Sequence, residues 1–110
     1  MKNKIVLLAA VFSFAATASP YNIQIPTDPK ATYTILEKGN QDKLRTIVTK
    51  REGRSGVTYS KRLFNCSSNE VKYLGTGETV EQMENSKPDP KMSLIVGNSI
   101  AYYLSIEACK

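Results

Sequence analysis

Residues 44–66 read LRTIVTKREGRSGVTYSKRLFNC, and this stretch decides the fold. Two runs rich in β-branched and aromatic residues, 44–50 and 57–66, flank Glu52-Gly53-Arg54-Ser55-Gly56. Glycines so placed supply the positive φ that a tight hairpin loop needs, so the two runs read as paired antiparallel strands. Side chains alternate along a strand. Thr58, Ser60, Arg62, Phe64 and Cys66 therefore share one face, and Val57, Tyr59, Lys61 and Leu63 the other. Leu63-Phe64 beside Cys66 place the better-buried end at the C-terminus of the second run.

N-terminal to this hairpin, residues 32–37 (TYTILE) read as a short strand and Gly39-Asn40-Gln41-Asp42 as a turn. C-terminal to it, Ser67-Ser68-Asn69 turns the chain into residues 70–74 (EVKYL), a fourth strand. Consecutive strands with short connections pair antiparallel. Gly75-Thr76-Gly77 then breaks the strand, residues 79–84 suit one or two helical turns, and Ser86-Lys87-Pro88-Asp89-Pro90 is a loop whose prolines oppose a continuous helix. Residues 93–109 predict a helix with an interrupted start. Leu94, Ala101, Leu104 and Ala108 follow helical spacing, Gly97 weakens the first turn, and Asn98 or Ser99 caps a fresh start. Residues 100–108 are its firm part. The expected fold is α+β, about four antiparallel strands packed by one C-terminal helix that is disulfide-linked to the sheet.

Residues 1–18 carry the three parts of a secretory signal peptide in order. Lys2 and Lys4 form a positive start, residues 5–16 (IVLLAAVFSFAA) are uncharged and apolar, and Ala16-Thr17-Ala18 offers a small-x-small cleavage pattern. The apolar run is shorter than the roughly 20 residues that a membrane-spanning helix needs. No cysteine lies near the expected cut, so a bacterial lipoprotein's lipid has no attachment point there. No second apolar run follows, so no integral membrane segment is expected after cleavage. The expected location is periplasmic or secreted. Pro20, Pro26 and Pro29 make residues 19–30 an extended leader, and residues 31–110 a single small domain.

Both cysteines, Cys66 and Cys109, survive that cleavage. An even number of thiols in an exported chain reads as a disulfide, and two cysteines allow one pairing. In the chain-entropy model such a closure stabilises by about 4 kcal/mol at most. Asn65-Cys66-Ser67 matches an N-glycosylation acceptor but adjoins this bonded position and is read as a chance match.

The formal net charge of +5 falls by two when Lys2 and Lys4 leave with the signal. Lys43, Arg45, Lys50, Arg51, Arg54, Lys61 and Arg62 cluster in and around the hairpin, opposed there only by Glu52. Glu70, Glu78, Glu81, Glu84 and Asp89 follow, so the domain has a basic and an acidic half that can steer an acidic partner.

Several chemistries are absent. The chain has no histidine, which removes the Ser-His-Asp and Cys-His devices and the commonest metal ligand. Zinc would need thiols that the disulfide occupies. Gly75-x-Gly77 lacks the remainder of a phosphate loop. Glu78 with Glu81, or Glu81 with Glu84, reads as a solvated helix start rather than an acid–base pair. Neither catalysis, nor a cofactor, nor a metal is expected. Tyr59 and Phe64 among the hairpin cations could stack on bases, but export and the modest net charge argue against nucleic acid.

From Thr49 to Cys66, followed by Lys72-Tyr73-Leu74-Gly75 and the terminal stretch Ile100-Ala101-Tyr102-Tyr103 to Ala108-Cys109, the chain resembles a group of small exported bacterial proteins of unassigned function. More distantly, its strand-Cys and terminal helix-Cys layout is similar to the surface-adhesin protein E family. That resemblance implies a sheet-plus-helix domain of bacterial surfaces that binds host matrix and serum proteins. Only Cys66 and Cys109 carry over by position, in a structural role.

The reading is an exported, non-catalytic binding module, adhesin-like in its sharper form. It would contact an acidic protein partner through Lys50, Arg51, Arg54, Tyr59, Lys61 and Arg62. Tyr102 and Tyr103 are further aromatic candidates, also suited to the helix–sheet contact. The alternative is a periplasmic inhibitor, immunity or secretion-accessory protein that inserts the acidic loop 75–91 into a basic cleft.

Overall fold

The computed structural model describes residues 19–110. The signal peptide expected over residues 1–18 lies outside them. The chain forms one antiparallel sheet whose strands neighbour one another in sequence order. These are β1 (Tyr21–Ile23), β2 (Thr32–Gln41), β3 (Leu44–Gly53), β4 (Gly56–Asn65), β5 (Glu70–Gly77) and β6 (Ser93–Leu94). Two short helices accompany them, α1 (Val80–Asn85) and α2 (Ile100–Ala108).

The turns follow local chemistry. Gly53 pairs with Gly56 across an Arg54-Ser55 tip, and Gly56 adopts φ 116°, open to glycine at little cost. Asp42 and Asn69, at φ 57° and 59°, take the left-handed region in the β2–β3 and β4–β5 connections, where short polar side chains are tolerated. The Asn65 side-chain oxygen accepts from the Ser67 and Ser68 amides at 3.1 and 3.2 Å, an Asx turn that ends β4. The registers of β2–β3 and β4–β5 shift at Leu36 and Leu74, extra residues of the kind that locally increase strand twist.

The main core lies on one face of the sheet. Tyr33, Ile35, Ile47 and Phe64 project from the strands onto Leu104 and Ala108 of α2, with Ile25 and Ala31 from the N-terminal segment. Ile25, Ile47, Phe64 and Leu104 are fully buried. The opposite face carries Val48 and Leu63, both buried, and α1 with its buried Met83. Thr79 caps α1 by accepting from the Gln82 amide, while Gln82 returns a bond to the Glu78 amide. This helix crosses β5 at very close range. A Cβ at Gly75 would overlap the Met83 carbonyl oxygen, and one at Gly77 would sit 2.5 Å from Gln82 Cβ.

The antiparallel sheet, the C-terminal helix and the disulfide are present, but the strands are more numerous than expected. The described residues hold six strands rather than about four, and α1 stands where one or two helical turns are expected beside the C-terminal helix. Residues 93 and 94 are not a helix start. They pair with Val71 and Glu70 as β6, and Leu94 is 72 % exposed, so its helical spacing from Ala101 reflects no shared buried face. Asn98 at φ 66° separates them from α2, whose cap is Ser99. In residues 19–30 the extended course includes β1, which pairs with β2, and ends in Ile25 and a turn closed by Asp28 N–H to Ile25 C=O. The core therefore reaches into that segment.

Cys66 and Cys109 are joined, with Cα atoms 5.9 Å apart. The bond ties the end of β4 to the end of α2 and so holds the helix on the core face.

Candidate functional site

Strand alternation divides the hairpin cations between two faces. Lys50 lies opposite Tyr59 and Val48 opposite Lys61, and all four point away from α2. Arg51 lies opposite Tyr33 and Thr58, and Arg62 opposite Ile47, which puts both arginines on the core face. Arg54 stands at the exposed tip.

Each cation has its own surroundings. Lys50 pairs with Glu52 at 3.1 Å and lies 6.0 Å from the Tyr59 ring centroid. The bond to Glu52 raises its pKa. Lys61 lines a shallow hollow of about 190 Å³ with Leu74, Gly75, Met83 and Glu84, at the edge of α1.

Arg51 grips Asp28 in a two-pronged ion pair, Nε to Oδ2 at 2.8 Å and Nη2 to Oδ1 at 3.2 Å. The Tyr33 hydroxyl donates to the same carboxylate at 2.6 Å and accepts from Arg51 Nε at 3.2 Å. The Arg51 and Tyr33 bonds hold the Asp28 carboxyl below the usual carboxylate range. Burial, reinforced by the bond to Asp28, pushes the Tyr33 hydroxyl up to about 12. Asp28 in turn raises the Arg51 pKa. Arg51 thus anchors the N-terminal segment to β3.

Arg62 is only 7 % exposed. Its guanidinium lies 4.6 Å from the Tyr73 ring centroid and donates to Tyr73 Oη at 2.9 Å and, more weakly, to Thr49 Oγ1 at 3.4 Å. Beside it a cavity of about 320 Å³ opens between β5 and the start of α2.

Lys50, Tyr59 and Lys61 are therefore brought together, Arg54 continues them at the tip, and Arg51 and Arg62 stand apart on the other face. Tyr102 and Tyr103 lie on α2, edge-to-face with ring centroids 5.0 Å apart, away from Tyr59. Residues 75–91 fold back onto the sheet rather than projecting. The Asp89 amide donates to the Tyr73 carbonyl at 3.0 Å, and its carboxylate accepts from the Tyr73 amide at 3.3 Å.

Sequence reasoning did not single out Asp28, and it gave Tyr73 and Asp89 no individual site role. Asp28 sits between prolines in a segment with no strand pattern, and its partner is 23 residues away. The alternation that separates Lys61 from Arg62 was the available signal for dividing the cations. Among the described residues no helix is long and apolar enough to cross a membrane, and no cluster of three metal-ligating side chains occurs. No protein-family model, curated protein or solved structure matches the chain.

Proposed function

We propose that this chain is an exported, non-catalytic binding module that contacts an acidic protein partner through the outer face of the β3–β4 hairpin. The observation that carries this reading is the strip formed by Lys50, Tyr59 and Lys61, continued by exposed Val57 and Arg54 beyond the rest of the sheet. Pairing between β4 and β5 begins at Tyr59–Gly77, so among the described residues 56–58 have no strand partner on that side. A half-buried tyrosine bordered by cations and an aliphatic side chain has the composition of a protein-contact centre, and open strand edge adds backbone donors and acceptors. Export is supported by the signal-like residues 1–18 and by a disulfide suited to an oxidising compartment.

A photoreactive residue at position 59, compared with one at position 94 on the far edge of the sheet, tests the contact in intact cells. The expected result is one crosslinked partner from position 59, weakened by salt and by the paired change Lys50→Glu and Lys61→Glu. Equal yields at both positions, or none at 59, would sink the proposal. Protease shaving of the same cells separates its two forms. Digestion of the domain from outside favours the adhesin-like form, and protection until the outer membrane is breached favours a periplasmic partner. Retention of residues 1–18 in a cytoplasmic product would refute export.

A further inference from the structure

Arg62 occupies an unusual place for a cation. Desolvating a guanidinium is expensive unless a counter-charge or a full set of acceptors offsets it. Among the described residues no carboxylate forms an ion pair with Arg62. Among the described residues its hydrogen-bond partners are two neutral hydroxyls, Thr49 and Tyr73, fewer than the five N–H donors of a guanidinium. This side chain forms part of the wall of the 320 Å³ cavity.

The other walls carry complementary chemistry. Ile100 and Ala101, the first two residues of α2, line the cavity. Ser99 takes up the Tyr102 amide through its side chain and the Tyr103 amide through its carbonyl. The Ile100 and Ala101 amides, first-turn donors at the positive end of the helix, have no such partner among the described residues. Asp89 adds a single carboxylate on the same rim, whereas Lys72, paired with Leu63, alternates to the other face of the sheet.

We propose that this cleft binds a small hydroxy- or amino-carboxylate. The ligand's carboxylate lies between the Arg62 guanidinium and the first amides of α2, and its hydroxyl or ammonium group faces Asp89. A guanidinium fork matches a carboxylate in two-pronged geometry. The Asp89 charge selects a ligand that carries a donor and disfavours a dianion such as phosphate. At about 320 Å³ the cavity is near the lower end of ligand-pocket volumes, which suits a molecule of a few heavy atoms. The site lies on the core face, so its existence is independent of any partner on the outer face of the hairpin.

The test is an amide and guanidinium NMR titration of the disulfide-bonded protein with L-serine, lactate, acetate and inorganic phosphate. Saturable shifts are expected at the Ile100 and Ala101 amides and at Arg62 Nε–H with L-serine and lactate. Acetate should bind about tenfold more weakly, the equivalent of about 1.4 kcal/mol. Arg62→Met should abolish the shifts, and Arg62→Lys, which keeps the charge but loses the fork, should weaken binding about tenfold and decides the matter if the methionine variant does not fold. Asp89→Asn should level lactate with acetate. Absence of shifts with every probe, or unchanged binding by a folded Arg62 variant, overturns the site. Tighter binding of phosphate than of lactate overturns the assignment to carboxylates.

Discussion

Asp28 connects stability to pH. Its carboxyl titrates low because Arg51 and Tyr33 bind the ionised form, so the stabilisation they provide is present above the ordinary carboxylate range and is lost as pH falls through the lowered value. Glu107 acts in the same direction. Burial pushes its carboxyl up, but the bonds from Tyr21 and Lys110 outweigh that and hold it low. Tyr33 governs the alkaline side. Its hydroxyl is raised from 10.0 to about 12, so the folded state keeps a proton that the unfolded state releases, and stability falls across that interval. Urea midpoints measured across pH should therefore decline at both ends. Asp28→Asn should lower the neutral-pH midpoint and flatten the acid decline, and Tyr33→Phe should flatten the alkaline one. An acid decline as steep in Asp28→Asn as in the parent would show that the Arg51 pair contributes nothing. At this scale the sequence is half legible. Alternation separates Tyr59 and Lys61 from Arg62, but which cations are already taken depends on Asp28 and Tyr73, whose approach is a property of the folded sheet.

Helix α1 exists where it does because β5 presents glycines beneath it. Gly75 and Gly77 leave room for the helix backbone to lie almost on the strand, which brings Met83 into a buried position. Gly75→Ala forces the helix away and should cost about 1–3 kcal/mol, as overpacking in a filled interior does. Gly97, with open space around its missing Cβ, serves as the comparison, and Gly97→Ala should change stability by no more than about 0.5 kcal/mol. Chemical denaturation of the two variants checks both figures. Equal effects would mean that α1 slides freely over β5. The local pattern reveals the helical turns of 79–84 and the central strands, because caps, turn residues and alternation are read within a few residues. It does not reveal β1 or β6. A three-residue strand and a two-residue strand are too short to show alternation and are defined by the neighbours they pair with, Ile35-Thr34-Tyr33 and Val71-Glu70. The same limit explains the glycine pair, which reads as a strand break in sequence and is strand in the fold because a helix needs the space.

The two ends of the described chain close the same face of the sheet. β1 extends the edge of the sheet, residues 25–31 and α2 lie over the strand core, and the two ends also hold each other. Tyr21 Oη donates to Glu107 Oε1 at 2.9 Å, and Thr27 Oγ1 donates to the Asn98 carbonyl at 2.9 Å. Ile25 and Leu104, each fully buried, fill the interior between them. A nine-residue helix has little stability of its own, so its position depends on this packing and on the bond from Cys109 to Cys66. Replacing both cysteines by serine avoids a stray thiol and should lower stability by up to about 4 kcal/mol, because the bridge closes a long loop in the unfolded chain. The loss should also be uneven. Amides of α2 should exchange with solvent well before those of β3 and β4, which are flanked by strands on both sides. Hydrogen exchange on the oxidised protein and on the double variant measures this directly. Faster exchange confined to α2 and residues 21–31 means that the two ends open together as one unit. Uniform acceleration means that the bridge acts only through the unfolded chain, and unchanged exchange with an unchanged denaturation midpoint means that it does not stabilise the fold.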